Sequence, residues 1–163
     1  MKKSLLSLST LLLLGTSLLQ AEWESISLKE HVASASVITT AKLIKEIEQK
    51  ELDFGTEQIV EFENNETIKG NINSSFYVKG QALYMCMPQM LFDITPNQSY
   101  LLFLHSDENN ASLYHLVHGK RSGLMIDDNQ SVGWIANRDK IDIGEVVVTP
   151  LERVKEEIVK NLK

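Results

Sequence analysis

Ser99-Tyr100-Leu101-Leu102-Phe103-Leu104, SYLLFL, is the stretch that settles the class of fold. Successive side chains of a strand point to opposite faces, so an unbroken apolar run of this length demands burial on both sides. Thr95-Pro96-Asn97-Gln98 supplies turn chemistry just before it, because proline presets φ and asparagine tolerates left-handed corners. Asp107-Glu108-Asn109-Asn110 forms a polar loop just after it, and Leu113-Tyr114-His115-Leu116-Val117 is expected to pair back as a hairpin. Leu124-Met125-Ile126 and Val132-Gly133-Trp134-Ile135 bracket one more turn at Asp127-Asp128-Asn129-Gln130, and the sequence predicts a β-meander.

Upstream the same signal recurs. Val37 to Glu48 is β-branched and loosely alternating, a long strand, although its continuation Ile44-Lys45-Glu46-Ile47-Glu48-Gln49-Lys50-Glu51-Leu52 also suits a helix. Val60, Phe62 and Ile68 share a parity and predict one strand from Ile59 to Lys69-Gly70, with room for a bulge. Phe76 to Met87 reads as a third strand that becomes apolar on both faces towards its end.

Helix signals flank this β-rich middle. Ser27-Leu28-Lys29-Glu30 fits a capping box and predicts a short helix ending near Ser34 or Ser36. Thr149-Pro150-Leu151-Glu152 predicts a second, with threonine as cap and proline as first helical residue. Its stripe of Leu151, Val154, Ile158 and Leu162 should face the sheet. The expected architecture is mainly β: a small five-stranded OB-like barrel with a short N-terminal helix and a packed C-terminal helix.

The leader sets the compartment. Lys2 and Lys3 precede an apolar run from Leu5 to Leu19 and the small residue Ala21, the pattern of a secretory signal peptide over residues 1–21. Serines, threonines and Gly15 interrupt the run, which is shorter than the roughly 20 apolar residues a bilayer span needs. The 163 residues less these 21 leave 142, so residues 22–163 form one domain of ordinary size. Removing Lys2 and Lys3 from 16 basic residues leaves 14 against 22 acidic ones, about −8 before histidine. Such a chain is a poor partner for nucleic acid, whose phosphates require a basic face. The expected destination is the periplasm or the exterior, with no membrane span after cleavage.

Ala33-Ser34-Ala35-Ser36-Val37-Ile38-Thr39-Thr40-Ala41-Lys42-Leu43, then Ile68-Lys69-Gly70, Cys86 with Pro88, and Ser99 to Leu104, together resemble the netrin-module and tissue-inhibitor-of-metalloproteinase type of OB-fold, including its bacterial secreted relatives. The resemblance spans roughly residues 30 to 120. It implies an exported five-stranded barrel with a surface free to bind another protein. Animal inhibitors of this type begin their mature chain with a zinc-chelating cysteine, whereas this chain would begin Glu22-Trp23, so their inhibitory mechanism does not carry over.

Residues with chemical potential are few. A lone cysteine in an oxidising compartment makes no intramolecular disulfide, and Cys86 is therefore buried, ligand-bound or paired between chains. Tyr84-Met85-Cys86-Met87-Pro88-Gln89-Met90 groups it with methionines; core packing is the simpler reading, and a copper(I) site using Cys86, Met87 and Met90 is the alternative. Among the histidines, His115 and His118 fall on opposite faces of a strand, while His105 is placed to lie across from one of them. His31 has no assigned role. Gly119-Lys120-Arg121-Ser122-Gly123 lacks the glycines of a phosphate loop or of a nucleophile elbow and reads as a flexible basic loop. Asp127 with Asp128, and Asp139 with Asp142, lack calcium-loop spacing and read as solvated turns. Asn65, Asn73, Asn97, Asn110 and Asn129 head N-x-S/T triplets of the kind turns commonly contain, and Trp23 and Trp134 read as half-buried packing. With no nucleophile, acid and base in a recognisable arrangement, the expected function is that of a non-enzymatic exported binding module without cofactor, engaging another exported protein, possible inhibition included; copper handling is the alternative.

Overall fold

The computed structural model describes residues 26–83, 92, 95, 97–134 and 147–163. SYLLFL forms the middle strand of the molecule, β4 (Ser99–Ser106), and its apolar residues are buried on both faces. One edge of β4 pairs antiparallel with β1 (Val37–Leu52), from Val37 opposite Leu104 to Lys42 opposite Ser99. The other edge is shared: β5 (Leu113–Leu116) takes Leu104 to Ser106, and β6 (Gly123–Ile126) takes Ser99 to Leu102. A 3-10 turn, Gly119–Ser122, carries the chain between these two partners, and the Val117 N–H donates to the Phe103 carbonyl on the way.

β2 (Gly55–Lys69) pairs with β1, and β3 (Ser75–Leu83) pairs with β2 and, in parallel, with β5. The order β1-β2-β3-β5-β4 therefore returns to β1, a barrel-like ring of five strands, and β6, β7 (Ser131–Trp134) and β8 (Val147–Pro150) extend it as a flap. The meander expected from the sequence is corrected here: β3 with β5, and β1 with β4, are non-sequential pairings that close the sheet. The OB-like five-strand expectation holds for the ring. The β6–β7 hairpin about Asp127–Gln130 is as the sequence predicts; what local pattern did not supply is β8, four residues long.

β1 is a strand throughout, including the part with helical periodicity. Tertiary pairing overrides that local pattern, since each residue from Glu48 to Leu52 has a partner on β2. Leu52 lies opposite Gly55, which leaves Asp53-Phe54 as a two-residue turn and starts β2 four residues before the expected Ile59. The register slips between Leu43 and Lys45 and again between Glu46 and Glu48, so Ile44 and Ile47 are bulge residues. Bulges of this kind bend a strand and sharpen its twist. β1 thereby serves the ring with its first half and leaves it with its second.

The core lies on both sides of β4. Inside the ring, Tyr100, Leu102 and Leu104 meet Val37, Ala41, Leu43, Val60 and Val78. Phe62 anchors an aromatic cluster there, stacked on Phe76 and edge-on to Phe92 and Tyr100 at centroid separations of 5.2 to 5.8 Å. Pairs of this geometry contribute about 0.5–1.5 kcal/mol each beyond their burial. Buried Gln58 holds Phe92 in place, accepting from the Phe92 N–H at 2.8 Å and donating to its carbonyl at 3.3 Å. Outside the ring, Leu101 and Phe103 meet Ile38, Ile126 and Val132 beneath two helices, α1 (Leu28–Ser34) and α2 (Leu151–Asn161).

α1 has the expected capping box: the Glu30 N–H donates to Ser27 Oγ and the Ser27 N–H donates to the Glu30 carboxylate. That pairing holds the Glu30 carboxyl below its ordinary range, the backbone N–H of Ser27 first and its hydroxyl second. The far end is tied down by Lys69, whose ammonium donates to the carbonyls of Val32 and Ala35. In α2 the cap differs from expectation. Pro150 is the N-cap and brings no side-chain acceptor, while Thr149 stays in β8; instead the Leu151 N–H donates to the Gln130 carbonyl in the β6–β7 turn. Lys155 bridges Glu66 and Glu152 at 2.6 and 2.8 Å, clipping α2 to β2, and although burial works against its charge these partners raise its pKa. Among the described residues no helix is long and apolar enough to cross a membrane.

Gly70, which ends β2, has φ +76 and lies against the chain entering β1: a Cβ there would run into the Ser36 carbonyl oxygen and crowd Val37. Backbone cannot yield as a flexible side chain does. Gly70→Ala is expected to cost about 2 kcal/mol or more, read as a lower urea midpoint at unchanged m-value. A midpoint equal to that of the parent would show that this approach is not a constraint.

Candidate functional site

The β4–β5 connection and the strands beside it bring Asp107, His105 and His115 together on the ring. Asp107 organises it: Oδ1 accepts from the Asn109 N–H at 2.8 Å and the Asn110 N–H at 3.1 Å, the side-chain turn that favours aspartate at such corners. Its N–H donates to the Leu113 carbonyl and closes the loop. Oδ2 is left to face β5 and accepts from His115 Nε2 at 2.8 Å. His115 lies directly opposite His105 in the β4–β5 register, and the two rings stand 5.2 Å apart and 21° from parallel. On its other side His115 is in register with Lys79 of β3, whose ammonium pairs with Glu57 at 2.7 Å.

These contacts set the protonation states. Hydrogen bonding from His115 holds the Asp107 carboxyl below the usual carboxylate range, helped by the Asn109 and Asn110 N–H groups. Partial burial lowers His105 below the ordinary 6.5, the neighbouring His115 lowers it further, and Asp107 opposes both. Lys79 lowers Glu57, so the cation beside His115 is already neutralised. The result is a cross-strand imidazole pair with one carboxylate fixing the tautomer of one ring, a set able to accept and release protons or to ligate a cation.

The other two histidines go elsewhere. His31 is buried in α1, with Nδ1 donating to the Ser27 carbonyl at 3.1 Å, and its ring lies edge-on to His118 at 4.8 Å and to Phe103 at 5.3 Å. His115 and His118 are separated for a different reason from the one expected: β5 ends at Leu116, and His118 lies beyond it at the start of the 3-10 turn, against His31. Gly119-Lys120-Arg121-Ser122, expected as a flexible loop, is a 3-10 turn in which buried Ser122 accepts from the His118 N–H at 2.9 Å. Asp127 is a turn former, accepting from the N–H groups of Asn129 and Ser131 at 3.0 and 2.7 Å. Asn65, Asn73, Asn97, Asn110 and Asn129 are all exposed, and Trp134 ends β7.

Residues 1–21, Trp23, Cys86, Met87, Met90, Asp139 and Asp142 lie outside the described residues. Among the described residues no group of three or more histidine, cysteine or acidic side chains is arranged to hold a metal ion.

A second feature escaped sequence inspection. The β1–β2 ribbon continues beyond Lys42, where the pairing with β4 stops, and carries Ile44, Ile47 and, at its turn, Phe54, exposed at 41, 46 and 69 %. The signal for it was present in the sequence, since Asp53-Phe54-Gly55 has turn composition with an aromatic at the corner.

In a ring-proton NMR titration His105 is expected to titrate below 6.5. His115→Gln should raise its pKa by removing a neighbouring positive charge, and Asp107→Asn should lower it by removing the negative one. The unfolded chain takes up this proton more readily, so the contribution of His105 to stability falls as pH drops through the unfolded-state value. The contribution of Asp107 runs in the same direction but lower, present above the unfolded carboxyl's pKa and lost as pH falls through the folded one. Unchanged His105 titration in both variants would dissolve the cluster as an electrostatic unit. No protein-family model matches the chain, and no curated protein matches it.

Proposed function

We propose that this chain is an exported, non-enzymatic binding module that engages another exported protein, with inhibition as one form the engagement takes. The single observation that carries the proposal is the β1–β2 ribbon, which places Ile44, Ile47 and Phe54 in solvent beyond the closed ring. Exposed apolar side chains are costly in water unless something covers them, and an aromatic with flanking aliphatics is the composition from which interface anchors are built.

Two further facts support it. The ring interior is filled by Phe62, Phe76, Phe92, Tyr100 and Tyr114, so it works as a rigid support for what lies on its surface. The leader over residues 1–21 has the composition of an export signal. The bulges at Ile44 and Ile47, with Lys45, Glu48 and Lys50 between and beyond them, are the devices that discourage a strand edge from adding further strands. Recognition is accordingly assigned to side chains of the ribbon and not to strand addition.

The test is a photo-crosslinking amino acid at Ile47 or Phe54 in the organism that makes the protein, with Asn161 on α2 as control. One adduct with an exported protein, shared by Ile47 and Phe54 and absent at Asn161, is the expected outcome. Phe54→Ala should then weaken the purified complex about 30-fold, the loss typical of an aromatic anchor. Equal labelling at all three positions, or Phe54→Ala binding as the parent does, would overturn the assignment of the ribbon.

A further inference from the structure

We propose that the cross-strand pair His105 and His115 is a surface site for one divalent transition-metal ion of the zinc and copper(II) class, with Asp107 as its positioning carboxylate. Three observations meet at this point of the fold.

The first is distance. An ion about 2.1 Å from one nitrogen of each of two imidazoles sits about 3.2 Å from each ring centre, and a tetrahedral angle then sets the centres about 5.2 Å apart. The rings of His105 and His115 stand at 5.2 Å. With His115 held on Asp107, directing a nitrogen of His105 towards a point shared with His115 Nδ1 needs rotation about the His105 Cβ–Cγ bond, a broad torsion for histidine. The backbone already supplies the rest, since the two residues are directly opposite in an antiparallel pair.

The second is the arrangement behind the ligand. Metal-bound histidines characteristically donate their other ring N–H to a carboxylate, which fixes the tautomer and raises the basicity of the ligating nitrogen. His115 Nε2 donates to Asp107 Oδ2 at 2.8 Å, leaving Nδ1 to carry the lone pair. Asp107 is itself held by the N–H groups of Asn109 and Asn110, so the support is part of the loop and does not depend on a mobile side chain.

The third is charge and access. His105 is exposed and His115 half-buried, so an ion can arrive with part of its water shell and keep it in the remaining positions. The charged groups around the pair are Asp107, Lys79 and Glu57, and Lys79 is neutralised by Glu57.

The experiment is a calorimetric titration of the purified chain with Zn2+ at neutral pH, followed in parallel by the ring resonances of all four histidines. One saturable equivalent that shifts His105 and His115 but leaves His31 and His118 in place is expected. His105→Gln and His115→Gln should each weaken it at least about 30-fold, and Asp107→Asn about 10-fold, the usual effect of removing an outer-shell carboxylate. Cu2+ should displace Zn2+, following the general order of affinities, and Mg2+ should not compete. Zinc binding that survives in the His105→Gln, His115→Gln double variant, or that Mg2+ competes away as it would from a merely acidic surface, overturns the proposal; so does a chain whose His105 and His115 resonances stay unmoved at saturating zinc.

Discussion

The structure depends on one strand having two neighbours. From Ile38 to Lys42, β1 is bonded to β4 along one edge and to β2 along the other, and this short double pairing turns an open sheet into a ring. Every other closing contact follows from it. A ring has no exposed edges along that span, so its backbone groups are satisfied without solvent and its inward side chains are sealed. Gly70 marks how tight the closure is, because the chain leaving β2 passes the chain entering β1 with no room for a methyl group.

Closure also divides the core. β4 contributes Tyr100, Leu102 and Leu104 to an interior built around Phe62, and Leu101 and Phe103 to an exterior layer under α1 and α2. The helices supply Val32, Leu151, Val154 and Ile158 to that exterior layer, with α1 pinned by Lys69 and α2 by Lys155. The first N–H of α2 is satisfied by the turn between β6 and β7, so the flap and the helix stabilise each other. This interdependence explains why short strands that would not persist alone are held in place.

What the ring leaves outside is where chemistry becomes available. The loop after β4 is shaped by Asp107, and the same carboxylate that makes the turn also orients His115 beside His105. The ribbon formed by the second half of β1 leaves the ring because two bulges bend it, and those bulge positions are Ile44 and Ile47. The two places differ in kind: His105 and His115 are directly opposite in regular pairing, whereas Ile44 and Ile47 are exposed where the pairing slips.

Local chemistry determined a large share of this molecule. SYLLFL announced a strand buried on both faces because side-chain alternation leaves no other way to dispose of five apolar residues, and Ser27 with Glu30 announced a helix start because the capping box lies within four residues. His105 opposite one of the later histidines was also legible, since a short polar loop between two strands sets their register. β3 ends at Leu83, and the sulfur-rich stretch with Cys86, to which the strand was expected to run, lies outside the described residues. Only the tertiary structure decided which strands pair out of sequence, that Ile44 to Leu52 extends instead of coiling, that Pro150 and not Thr149 caps α2, and that Asp107 supports His115. The physical reason is range: a cap or an alternation is written in neighbouring residues, whereas closure of a ring is a balance among segments tens of residues apart, and no local pattern records which of them will meet.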